Sequence, residues 1–203
     1  MKTDHALTIH RTALALRAVA DGQTTGQVVL VTSARPGEGK SLMAGLLARA
    51  LASHQEGDVL LVDAGLSPGV ERQGGTGLAG LLAGSPPDGL VTAGSQAGLW
   101  HLPRGTSYHA SQLFRAARLR AGLAALRRRF PMTVIDGPEL AACGALLALA
   151  DRNLLVVDAS RTPGPTVRTA LETAQATAQV GAERFAGVML NRQPAPLPRW
   201  LGG

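Results

Sequence analysis

The sequence predicts an α/β domain, doubly wound around a mostly parallel sheet. Apolar, β-branched runs alternate along the chain with stretches of helical periodicity. Several of the runs are continuously apolar, as parallel strands covered on both faces require. A glycine-rich loop also sits between the first run and the first long periodic stretch, where such domains place an anion site. The chain has 203 residues, which suits one domain with a substantial core.

Taken in order, "ALTIHRTALALRAVA" (6–20) reads as an amphipathic helix ahead of the first strand. Strand candidates are "QVVLVTS" (27–33), "DVLLVD" (58–63), "LWHLP" (99–103), "MTVIDGP" (132–138), "NLLVVDAS" (153–160) and "RFAGVMLN" (184–191). Helices are expected near 40–54, 77–83, 108–129, 139–150 and 165–180. Leu119, Leu123, Leu126 and Phe130 recur at helical spacing and define one buried stripe. Residues 64–77 read as a Gly/Pro-rich loop, and "QPAPLPRWLGG" has no periodicity and reads as a flexible tail. The expected organisation is an N-terminal helix (1–22), a ligand-binding domain (23–192) and a tail (193–203), with no internal repeat.

A hydrophobic content of 45% with 17% charged residues fits a soluble globular protein. No apolar stretch reaches bilayer-spanning length, and "MKTDHALTIHR" lacks the apolar core of a secretion signal, so a cytoplasmic location is expected. The single cysteine, Cys143, excludes an internal disulfide framework and reads as a small buried hydrophobe. The net charge of +6 invites a nucleic-acid reading, but the arginines are scattered and aromatic content is only 3%, which leaves no stacking platform. The densest basic cluster, Arg115, Arg118, Arg120, Arg127, Arg128 and Arg129, is read as a solvated helix face. No nucleic-acid partner is expected.

The loop "SARPGEGKS" carries the chemistry. Gly39, Lys40 and Ser41 match the end of the phosphate-binding pattern G-x-x-x-x-G-K-[ST], while its first glycine position falls on Ala34. A strand before it and a helix after it aim backbone N–H groups at an anion. Gly37 and Gly39 permit close backbone approach, Lys40 can meet phosphate oxygens as a point charge, and Ser41 can ligate Mg²⁺. The whole loop, Ala34, Arg35, Pro36, Gly37, Glu38, Gly39, Lys40, Ser41 and Leu42, is taken as the nucleotide-binding segment. Only two lysines occur among the 20 basic residues, Lys2 and Lys40, so a sequence that otherwise uses Arg keeps Lys at this loop. Asp63 and Asp136 end apolar strands on the edge where such sheets bind ligands, and either can hold Mg²⁺ directly or through water. A turn-initiating or helix-capping role is the alternative for each. Asp158 ends a strand in the same way and is the weaker candidate.

These segments, "VVLVTSARPGEGKS", "VLLVDAGLSPG", "TVIDGPEL" and "GVMLNR" in this order and spacing, resemble the cytoplasmic domain of bacterial protein-tyrosine kinases. That family is a branch of P-loop proteins related to the MinD/ParA ATPases and regulates exopolysaccharide or capsule polymerisation. The resemblance runs from about residue 6 to residue 192 and includes "LPRGTSYHASQLF", similar to the family's "LPAG…NPSELL". It accounts for Ala34, because this family often has Ala or Ser in place of the first glycine. It implies a single P-loop domain that binds ATP and Mg²⁺. Lys40 and Ser41 then belong to Walker A, Asp63 to Walker A′ and Asp136 to Walker B, with Lys40, Asp63 and Asp136 as the catalytic set and Ser41, Asp63 and Asp136 around the metal. It also implies that Asn191 reads the adenine edge with Arg192 beside it, where a strand-ending Asn in a turn is the alternative. The implied partner is the cytoplasmic tail of a membrane chain-length regulator, a polysaccharide co-polymerase that would recruit the chain to the inner face of the membrane, with homo-oligomers also expected.

Departures from the family pattern bear on activity. Walker A′ usually reads "DADLR(R/K)P" and here reads "DAGLSPG", so Gly65 replaces the second carboxylate and Ser67 the basic residue. Walker B usually reads "DTPP", here "DGPE". The ring-forming E-x-x-R-x-x-R aligns with Thr8, Arg11 and Leu14, and no tyrosine cluster ends the chain, whose only tyrosine is Tyr108. Arg35 stands where MinD-like proteins carry their signature lysine, and a solvated loop arginine is the alternative. The expected function is an ATP-binding tyrosine-kinase-like protein of exopolysaccharide biosynthesis with reduced or partner-dependent phosphotransfer. The alternatives are a nucleotide-dependent binding module and a MinD/ParA-like regulatory ATPase.

Overall fold

A computed structural model describes residues 2–20, 23–54, 57–65, 75–107, 109 and 115–193. The elements are α1 (Lys2–Ala20), β1 (Gln27–Ser33), α2 (Lys40–His54), β2 (Val59–Asp63), α3 (Gly77–Ala83), β3 (Thr92–Ala93), β4 (Leu99–Leu102), α4 (Ala116–Arg129), β5 (Met132–Glu139), α5 (Leu146–Leu149), β6 (Arg152–Asp158), α6 (Gly164–Ala178) and β7 (Phe185–Asn191). The strands form one seven-stranded sheet in the order β3-β4-β2-β5-β1-β6-β7. Only the short β3 runs antiparallel, against β4. The doubly wound, mostly parallel α/β class expected from the sequence is the observed one.

Strand alternation sends successive side chains to opposite faces, and here both faces are covered. On β1, Val29 and Val31 face Ile9, Ala13 and Leu16 of α1 and Met43 and Leu47 of α2. Val28 and Leu30 face the opposite layer, with Leu119, Leu123 and Leu126 of α4 and Phe130 just beyond it. Every residue of β1 is therefore buried. Fully burying a leucine contributes about 1.5–3 kcal/mol, so the expected α4 stripe is a main anchor of its layer. Close packing also fixes Gly26, since a Cβ there would lie 1.9 Å from the Phe130 carbonyl oxygen.

Three expectations need correction. The helix expected over 139–150 is broken into a 3₁₀ turn (Leu140–Ala142) and the single-turn α5. Gly144 separates them with φ 54°, a left-handed conformation that stops a right-handed helix. The helix expected from 108 runs from Ala116 within the described residues. The basic cluster is only partly a solvated face. Arg127 Nη1 donates to the Gly26 carbonyl at 2.9 Å and to Asp151 Oδ2 at 2.5 Å, while Arg129 pairs with Asp88 and lies over the Trp100 and Phe130 rings. Tyr108, Ser67 and residues 194–203 of the expected tail lie outside the described residues. Among the described residues no helix is long and apolar enough to cross a membrane.

Candidate nucleotide site

Sheet order explains why these residues meet. β5 lies between β2 and β1, so the C-terminal ends of β2 and β5 border the loop that follows β1. Asp63 and Asp136 are direct register partners across β2 and β5, and Asp136 is also paired in register with Val31 of β1. Beyond a register shift, Glu139 pairs with Ser33 at the mouth of the loop. The two expected carboxylates are thus adjacent at the ligand-binding edge of the sheet.

The loop turns on two glycines in left-handed conformations, Gly37 (φ 79°) and Gly39 (φ 93°). Gly39 is doubly constrained, because a Cβ there would meet Asn191 Nδ2 at 2.2 Å. Lys40 opens α2 and is buried, whereas Ser41 and Leu42 are exposed in its first turn. Arg35, Pro36 and Gly37 form the exposed outer rim.

Glu38 is the inner brace. Its buried carboxylate accepts the Arg35 N–H at 2.8 Å through Oε2. Through Oε1 it accepts the Asp158 N–H at 3.2 Å and the Thr162 hydroxyl at 2.5 Å. The Glu38 carbonyl in turn accepts from Asn191 Nδ2 at 2.9 Å. Arg192 Nη1 donates to the Gly37 carbonyl at 3.2 Å and to Asp158 Oδ2 at 2.7 Å. Asn191 and Arg192 therefore do reach the loop, but they hold its backbone: the Asn191 Nδ2 is committed to the Glu38 carbonyl, and its Oδ1 accepts the Arg192 N–H at 2.9 Å. Asp158, the weaker metal candidate, is engaged by Ser160 and Arg192. The Ser160 hydroxyl at 2.6 Å does most, with Arg192 assisting against the effect of burial, to bring its pKa down to about 2.

Sequence reasoning missed two charged groups. Lys40 Nζ donates to Glu139 Oε1 at 2.9 Å, the lysine 7% and the glutamate 23% exposed. Burial pushes the Glu139 carboxyl upward, but the hydrogen bond and charge of Lys40 outweigh it and hold it below its usual range. Arg104 Nη1 donates to the Gly65 carbonyl at 3.0 Å, and its Nε lies 3.9 Å from Asp63 Oδ2. Both residues were visible in the sequence only as departures, a Glu where the family pattern has Pro and an Arg where it has Ala. Asp63 Oδ1 also accepts the Gly65 N–H at 3.2 Å, which shapes the turn after β2.

Oxygen donors suit a hard cation: the Ser41 hydroxyl and the paired Asp63 and Asp136 match Mg²⁺, which takes few protein ligands and completes its shell with phosphates and water. Among the described residues no group of three or more His, Cys, Asp or Glu forms a ready-made metal cage. With these few oxygen donors, Mg²⁺ would fit as part of a metal–nucleotide unit, phosphate and water completing its shell.

Solved structures share this fold. The VpsO kinase domain superposes with a TM-score of 0.71 at 30% identity, covering 95% of this chain and 99% of that one. The chain belongs to the bacterial tyrosine kinases. At lower identity the fold recurs in the kinase domain of the Escherichia coli tyrosine kinase ETK (TM-score 0.73, 23% identity, 88% of this chain and 73% of that one). It recurs also in an ATP complex of Cyanothece McdA (TM-score 0.60, 23% identity, 81% and 68%), so the kinase fold is shared with MinD/ParA-type ATPases. No protein-family model matches the sequence, and no curated protein matches it. Gly65, Arg104 and Glu139 all lie beside the loop, Arg104 on the Gly65 carbonyl and Glu139 on Lys40.

Proposed function

We propose that the chain binds Mg-ATP and acts as a tyrosine-kinase-like protein in an exopolysaccharide system, with phosphotransfer to tyrosine that is weak without a partner. The observation that carries this reading is the pairing of a braced P-loop with Asp63 and Asp136 in register beside it. Lys40 sits where the β- and γ-phosphates would lie, and the backbone N–H groups around Gly37 and Gly39 supply the anion cradle. Bound with the nucleotide, Mg²⁺ would neutralise phosphate charge, held by Ser41, Asp63 and Asp136. These residues orient the donor, which is most of what phosphoryl transfer asks of a protein.

The acceptor side is depleted. Gly65 supplies no carboxylate to orient or deprotonate a tyrosine hydroxyl, and Arg104 occupies that corner instead. The implied partner is the cytoplasmic tail of a membrane chain-length regulator, which would complete the site and bring the chain to the membrane. A nucleotide-dependent binding module is the second reading, favoured by the same depletion at Gly65.

The test is calorimetry with Mg-ATP on wild type and Lys40→Met. Losing the ammonium leaves phosphate charge uncompensated in a partly desolvated loop, at a cost on the order of a few kcal/mol, or roughly 10²-fold in affinity or more. Equal affinities would remove the loop from the nucleotide site.

A further inference from the structure

Glu139 closes β5 with φ −64° and ψ 154°, extended backbone that carries its side chain to the loop lysine. An ammonium has three donors, and here one is used on Glu139, leaving two for phosphate. Two oxygens hydrogen-bonded to one tetrahedral ammonium at about 2.9 Å lie roughly 4.7 Å apart, which is the span bridged by a single water making two hydrogen bonds of about 2.8 Å. With Lys40 shared in this way, the Glu139 carboxylate does not collide with a terminal phosphate. A phosphate oxygen on a second Lys40 donor would lie one water away from it.

We propose that Glu139 is a catalytic residue for ATP hydrolysis, orienting and deprotonating the water that attacks the γ-phosphorus. Water then becomes the favoured acceptor in place of a tyrosine hydroxyl. The inference rests on the ATP-binding reading above and deepens it. As the water oxygen bonds to the γ-phosphorus, the bond from that phosphorus to the β,γ-bridging oxygen breaks and its electron pair leaves with ADP. The water proton passes to Glu139 Oε2 or Oε1, and the products are ADP and inorganic phosphate.

Three observations converge on this role. The carboxylate is directed at Lys40, the side chain that marks the phosphate position. Its ion pair keeps it charged at neutral pH, so it accepts a proton rather than offering one. A strong base is not needed, because in a loose phosphoryl-transfer transition state the nucleophile's proton leaves late and orientation matters most. Finally, the tyrosine route lacks the carboxylate that Gly65 replaces, while the water route has one in place.

The experiment measures phosphate release from Mg-ATP and, in parallel, ATP affinity by calorimetry, on wild type and Glu139→Gln. The glutamine keeps the shape and an acceptor for Lys40 but cannot take the proton. Expected is a loss of hydrolysis of about 10²–10⁴-fold with ATP affinity retained or tightened. A glutamine variant that binds ATP and hydrolyses it within about threefold of wild type overturns the proposal and leaves the binding reading intact. So does a wild type that binds ATP and releases no phosphate. A wild type that fails to bind ATP sinks the binding reading and this one with it. Should the glutamine variant lose its far-UV circular dichroism, Glu139→Ala with added formate replaces it: restored hydrolysis supports the role, and none overturns it.

Discussion

A Gly65→Asp substitution returns a carboxylate to the acceptor side of the site, and the structure allows its cost to be worked out. Gly65 is not among the glycines with positive φ, and a Cβ built on it meets only Asp63 Oδ1, at 3.5 Å, an ordinary van der Waals contact. Backbone strain is therefore not the obstacle. Charge is: two carboxylates about 5 Å apart in a partly exposed site repel by roughly 3 kcal/mol. Arg104 opposes this, since its guanidinium already bonds the Gly65 carbonyl at 3.0 Å and flanks Asp63. At a comparable distance it returns a similar energy, so the net cost is roughly 0–1 kcal/mol and the variant should fold. A positioned acid/base group contributes about 10²–10⁴-fold in rate, and tyrosine transfer should rise by that order. The assay is transfer of radiolabel from γ-labelled ATP to a Glu/Tyr copolymer, with no partner tail added. A folded, ATP-binding variant that transfers no faster than wild type would refute the reasoning. So would a wild type that alone reaches rates typical of kinases, roughly 1 s⁻¹ or more.

Two further predictions concern the frame behind the site. Asp158, with its folded pKa drawn down to about 2, stabilises the fold fully above the ordinary carboxylate value of about 4, and that contribution is lost as pH falls from there towards 2. Asp158→Asn should therefore lower the urea midpoint at neutral pH and flatten the acid limb of stability, and an acid limb as steep as wild type's would contradict the assignment. Cys143 is buried, its thiol pushed up to about 12 chiefly by that burial. Iodoacetamide at mildly alkaline pH should leave it unlabelled until denaturant is added, and labelling of the native protein at a free-thiol rate would contradict the packing around Thr32.

Much of this was legible in the residues because the relevant signals are local. β1 and α2 announce themselves through unbroken apolar runs and helical spacing, and the loop between them needs its glycines for left-handed turns. Asp63 ends β2 as the sequence suggested, whereas β5 runs three residues past Asp136 to Glu139. The direct pairing of the two carboxylates depends on β5 inserting between β2 and β1, a fact of sheet order that no local pattern encodes. The break at Gly144 was hidden because "LAACGALLALA" carries strong helical propensity, and one glycine overrode it. The contacts of Glu139 and Arg104 were hidden for a related reason. Charged residues near a turn look like surface until the fold supplies their partners, Lys40 and Asp63. The bracing role of the Glu38 carboxylate was missed likewise, since the donors it accepts from lie on β6 and in the turn after it.

That brace has a consequence for the order in which the molecule becomes competent. The groups holding the loop from behind come from Asp158, Thr162 and Asn191, which follow Glu38 by 120, 124 and 153 positions. A nascent chain that has just completed α2 already contains every residue of the phosphate motif and its short-range braces on the Arg35 backbone, yet none of the distant ones. Contacts of such long sequence separation form late, because closing the intervening chain costs entropy before they reward it. The fully braced form of the loop is thus a property of the finished sheet, reached only when its last two strands dock.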